Sequence, residues 1–99
     1  MKSFGYFKGM AYHNCDESFD TFKEYHNTLP KKKIIAHIES LEEWLTSIPS
    51  FDIFTGEKLQ AGKYMDGTFV FPLEFLHYYK NYDIGIPPEY EEYLKTILD

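Results

Sequence analysis

Apolar and polar positions alternate from Phe4 to Tyr12. Phe4, Tyr6, Met10 and Tyr12 fall on one side and Gly5, Phe7, Gly9 and Ala11 on the other. A period of two predicts a β-strand, which its two glycines weaken. The period then lengthens to 3.6. Over residues 17–28 it collects Phe19, Phe22, Tyr25, His26 and Leu29 on one face and predicts a helix. Asp16, Glu17 and Asp20 lie at its start, where the helix dipole favours negative charge, and Pro30 ends it. The clearest amphipathic stretch is 32–48. There Ile34, Ile38, Leu41, Leu45 and Ile48 form one apolar stripe, flanked by Ile35 and Trp44, with Glu39, Glu42 and Glu43 outside it. A second helix is predicted there, stopped by Pro49. Lys31, Lys32 and Lys33 would oppose the dipole at its positive end, so they are expected mostly in the connection.

Residues 49–61 show no sustained period and read as a long loop with a short strand near Asp52–Phe54. Gly62 to Phe71 reads as a β-hairpin about a two-residue type I′ turn at Asp66-Gly67, with Tyr64 facing Phe69 across the strands. Pro72 suits the first position of a helix reaching about Asn81. In it Phe75, Leu76 and Tyr79 point inward, and Glu74, His77, Tyr78, Lys80 and Asn81 point outward. A last helix is predicted over 88–98, burying Tyr90, Tyr93, Leu94, Ile97 and Leu98. The order is β-α-α-β-β-α-α. The fold class it predicts is α+β: about four helices packed against a small antiparallel β-sheet, as one domain of 99 residues.

Charge narrows the range of partners. The net charge is −6, and residues 34–99 hold twelve Asp or Glu against four Lys. The chain has no Arg, the residue best suited to bidentate phosphate and guanine recognition. An acidic body without Arg repels phosphate backbones, so neither nucleic acid nor a membrane surface is an expected partner, and a basic protein is. Three consecutive lysines read as a solvated turn. A lone Cys15 admits no intrachain disulfide, and no apolar leader stands at the N-terminus, so a cytoplasmic setting is expected.

The candidate chemistry is sparse. His13, Cys15 and His26 are the sole group of metal-type or nucleophile-type residues, and a small metal- or thiol-dependent enzyme would have to use them. The same residues suit a buried thiol and a core histidine, and their spacing matches no zinc motif. Glu74 and His77, three apart on one helix, could pair as acid and base or as a surface ion pair. No phosphate loop, nucleophile elbow or His-Glu-x-x-His is present. No catalytic residue and no cofactor is therefore assigned. Aromatic residues are plentiful, at 19% of the chain. The expectation is an acidic protein-binding module, such as an inhibitor or immunity-type protein neutralising a basic enzyme, for instance a nuclease. The expected contact surface is Asp52, Glu57, Asp66, Tyr78, Tyr82, Asp83 and Glu89, with tyrosine giving area and acid giving steering. Self-association through the aromatic surface, giving a homo-oligomer, is the remaining expectation.

Overall fold

The computed structural model describes residues 1–98. Among these described residues six strands form, β1 (Lys2–Ser3), β2 (Trp44–Leu45), β3 (Ser50–Phe51), β4 (Lys58–Leu59), β5 (Gly62–Asp66) and β6 (Phe69–Pro72). Four helices join them: α1 (Phe19–Lys23), α2 (Lys31–Glu39), α3 (Leu73–Asn81) and α4 (Pro88–Leu98). The α+β class stands. The sheet is mixed, with order β1-β6-β5-β2: β1 runs parallel to β6 and the other pairs are antiparallel. β3 and β4 make a separate two-stranded hairpin.

The strand expected from Phe4 to Tyr12 does not form: β1 is Lys2–Ser3, ahead of it, and within the segment only Phe7 makes an isolated bridge, to Glu17. Gly5 and Gly9 take φ of +85° and +97°, which turn the chain away from the sheet. A Cβ on Gly5 would lie 2.8 Å from Phe75 Cδ1, so the missing side chain lets the backbone cross α3 closely. Phe4 and Phe7, on opposite sides of the supposed strand, are both buried. Phe4 stacks on Phe71 at 4.7 Å, and Phe7 meets Phe22 edge-on at 4.9 Å.

Both early helices are also cut short. α1 stops at Lys23 because residues 27–29 are claimed by tertiary bonds. Asn27 bonds the Ile86 N–H and C=O at 2.8 and 3.0 Å, and the Glu91 carboxylate accepts the N–H groups of Thr28 and Leu29 at 2.6 and 2.9 Å. α2 ends at Glu39, and Trp44 and Leu45 leave the helical stripe to pair with Lys63 and Gly62. Ile34 and Ile38 are buried as expected, but Leu45 and Ile48 are exposed. The lysines do enter α2: Lys31 bonds the Tyr82 carbonyl at 3.2 Å and lies 4.6 Å from the Tyr79 ring centre, offsetting the unfavourable dipole.

The β5–β6 register pairs Tyr64 with Phe71 and Asp66 with Phe69, so Tyr64 does not face Phe69. The turn is Gly67-Thr68, one residue later than expected. Positive φ at Gly67 (+61°) and not at Thr68 is the type II′ pattern. α3 and α4 match their predicted spans closely. One hydrophobic cluster joins the sheet, all four helices and the N-terminal segment, and rings supply much of it.

Candidate functional site

The β3–β4 hairpin is built around one carboxylate. Asp52 Oδ1 accepts the N–H groups of Phe54 and Thr55 at 2.7 and 3.0 Å, an Asx-type turn. The backbone closes the loop through Asp52 N–H to Glu57 O at 2.7 Å and Gly56 N–H to Asp52 O at 2.9 Å. Gly56 sits at φ +77°, which lets the chain reverse. Asp52 Oδ2 accepts from His77 Nε2 at 2.7 Å and from the Tyr82 hydroxyl at 2.9 Å. An ionised carboxylate has no proton to give, so His77 donates from Nε2. Asn81 Nδ2 stands 3.4 Å from its other nitrogen.

Four donors therefore converge on a side chain that is only 3% exposed as a residue. Burial pushes the Asp52 pKa up, but the bonds from His77, the Phe54 and Thr55 N–H groups and Tyr82 outweigh it and hold the carboxyl down at about 2. Tyr78, which the helical wheel points outward, is fully buried. Its oxygen accepts the Ile53 N–H at 2.9 Å, and burial pushes its phenol up to about 12.

This scaffold holds Phe54 at the loop tip, 56% exposed, on a bed of rings. Its centroid lies 4.8 Å from Phe19, 5.2 Å from Tyr82 and 6.3 Å from Tyr78. Glu57 is exposed and close enough to help raise the Tyr82 pKa, behind desolvation and Asp52. Asp83, next along the chain from Tyr82, is exposed as well.

Of the seven residues expected at a contact surface, Asp52, Glu57, Tyr78 and Tyr82 thus come together. Asp52 and Tyr78 act from inside as supports, while Glu57 and Tyr82 reach solvent. Asp66, Asp83 and Glu89 do not join them; Asp83 lines a separate groove with Tyr25 and Pro30. Asp66 is buried and accepts from His37 Nε2 (2.8 Å), Tyr90 (2.7 Å) and Tyr93 (3.3 Å), tying the β5–β6 turn to α2 and α4. Glu89 is exposed and pairs with Lys2 at 2.8 Å. Phe54 itself was absent from the expected surface. The available signal was Asp52 followed by Thr55-Gly56, a polar turn between apolar residues.

The remaining candidate chemistry does not assemble. Glu74 and His77 do not pair: Glu74 is buried, bonded by the Tyr12 hydroxyl at 2.8 Å and by the Ser50 hydroxyl, while His77 serves Asp52. His13 and His26 are exposed and line separate grooves, of about 630 and 420 Å³. Cys15 is half-buried and its thiol pKa is raised, chiefly by desolvation, the opposite of an activated nucleophile. Among the described residues, no three His, Cys, Asp or Glu side chains are placed to hold a metal ion. Among them, too, no helix is long and apolar enough to cross a membrane. No protein-family model matches this chain, and neither a curated protein nor a solved structure is significantly similar to it.

Proposed function

We propose that this chain is an acidic, cytoplasmic protein-binding module that docks a basic protein, as an inhibitor or immunity-type protein does with a basic enzyme such as a nuclease. The observation that carries the reading is the Asp52-pinned hairpin. It holds a half-exposed Phe54 on the rings of Phe19 and Tyr82, with the exposed carboxylate of Glu57 on the same hairpin. A rigid aromatic anchor rimmed by acid gives contact area at low entropy cost and steers a cationic partner. The net charge of −6 and the absence of Arg support a basic protein as partner, not nucleic acid or a membrane.

The test uses the protein immobilised at low salt under a lysate of its source cells. A basic protein should be retained in stoichiometric amount and elute as salt rises. Purified, it should bind the Phe54→Ala and Glu57→Lys proteins at least about tenfold more weakly, which is about 1.4 kcal/mol. Glu57→Lys should melt as the parent does, since Glu57 is exposed, whereas Phe54→Ala should stay folded but melt lower for the lost ring contacts with Phe19 and Tyr82. Retention that ignores salt, or equal affinity for Phe54→Ala, overturns the reading.

A further inference from the structure

The sheet ends on an uncovered strand. β2 is the last strand in the order β1-β6-β5-β2, and every residue from Glu42 to Pro49 is exposed. That stretch includes Trp44 at 50% and Leu45 at 62% exposure, with Phe51 at 51% just beyond. Two grooves, of about 370 and 520 Å³, meet there, and Thr46 lines both. An apolar strand at an open edge is an aggregation liability unless something covers it. Here the edge carries no proline before Pro49 and no lysine; its charges, Glu42 and Glu43, lie ahead of the short strand Trp44–Leu45.

The ladder shows which backbone groups are free. Thr46 N–H donates to Ala61 O at 3.1 Å and Thr46 O accepts from the Gln60 side chain at 3.2 Å, so the backbone groups of Thr46 turn toward β5. Antiparallel pairs alternate, which makes Leu45–Gly62 the non-bonded pair and turns the Leu45 N–H and C=O outward, with those of Glu43 and Ser47. We propose that a second copy of this chain covers the edge, with β2 pairing antiparallel to β2 about a two-fold axis at Leu45.

The register is self-complementary. Leu45 exchanges both backbone bonds with Leu45 of the second copy. Glu43 then faces Ser47, Trp44 faces Thr46 and Glu42 faces Ile48, so no carboxylate opposes another. Pro49 has no N–H and ends the added ladder. The four-stranded sheet becomes one of eight strands, and the apolar residues of each copy cover those of the other. Two bodies of charge −6 repel, so association strengthens as salt rises, whereas docking of a basic partner weakens. The two readings can therefore fail separately.

Sedimentation equilibrium from about 10 μM to about 1 mM protein, in about 0.5 M salt, reads the mass directly. The mass should climb from 11.8 kDa toward twice that value. Trp44, the single tryptophan, should shift its emission to the blue over the same range. Leu45→Lys and Leu45→Glu should each stay monomeric while melting as the parent does, because Leu45 is mostly exposed. Mixed in equal amounts, they should associate, since the two-fold sets position 45 against itself. A parent mass fixed at 11.8 kDa overturns the proposal, as does Leu45→Lys associating like the parent. A mixture that stays monomeric while the parent dimerises overturns the axis at Leu45.

Discussion

Replacing Asp52 by Asn tests whether one carboxylate organises the hairpin. The substitution keeps the shape and removes the charge. An amide has one acceptor oxygen and an NH2 group; with the oxygen on the Phe54 and Thr55 N–H groups, its NH2 faces His77 Nε2 and the Tyr82 oxygen. Those two can accept only after a switch of the His77 tautomer and a turn of the Tyr82 hydroxyl, and all four bonds lose their charge. Hydrogen bonds to a charged group contribute about 1.5–3 kcal/mol, and an unpaired buried donor costs about 1–3. The expected loss for Asp52→Asn is about 2–4 kcal/mol, or about 10–25 °C in Tm for a chain of this size. The assay is thermal unfolding followed by circular dichroism, first at neutral pH and then in acid. The folded carboxyl sits at about 2 against an ordinary value of 3.8. Its contribution is therefore complete above that ordinary value and disappears as pH falls through about 2, so the gap between the parent and the variant should close across that window. Equal melting of the two proteins at neutral pH would refute the assignment. So would a gap that persists undiminished as the carboxyl protonates.

Two further outcomes follow from the polar groups inside. Glu91 is depressed in pKa: burial raises it, but the Leu29 N–H, Asn27 and the Thr28 N–H bonds, with Lys95, outweigh that. Glu91→Gln should cost about 1–3 kcal/mol above the ordinary value of 4.5 and progressively less below it. Amide exchange at Thr28 and Leu29 should speed up selectively, and unchanged protection there counts against the anchoring role. Burial also pushes the phenols of Tyr64, Tyr78 and Tyr79 up to about 12, and Tyr12 and Tyr90 higher still. Stability from these phenols is complete below pH 10 and is lost as pH rises from there through about 12. Phenolate absorbance should therefore appear in two stages, the second coinciding with unfolding. A single smooth titration near 10 would contradict their burial.

Much of the chain was legible wherever local and tertiary preferences agree. The α+β class, the β5–β6 hairpin, α3 and α4 all follow from periodicity, turn residues and prolines read in order. Composition likewise bears directly on charge: an acidic body without Arg is a property of the residues, whatever their arrangement. What pattern reading missed has one physical source, groups distant in sequence that compete for the same backbone or side chain. Phe4 to Tyr12 alternates like a strand, yet two glycines at positive φ and the close approach to α3 turn it into loop. Residues 27–29 have helical spacing, but Ile86 and Glu91 take their hydrogen bonds. Leu45 and Ile48 extend a helical stripe, but the open edge of β5 captures Trp44 and Leu45 as a strand. Glu74 reads as outward and Asp52 and Asp66 as contact residues, yet these three and Glu91 are buried because each finds several donors there. No spacing announces such a meeting. His77 and Asp52 are 25 residues apart, and only the fold sets them within 2.7 Å. Composition and periodicity determine that this chain is acidic, aromatic and α+β. The tertiary structure decides which acids are supports, which ring is presented at a loop tip and which strand is left open, because those depend on long-range hydrogen bonds that outbid local propensity.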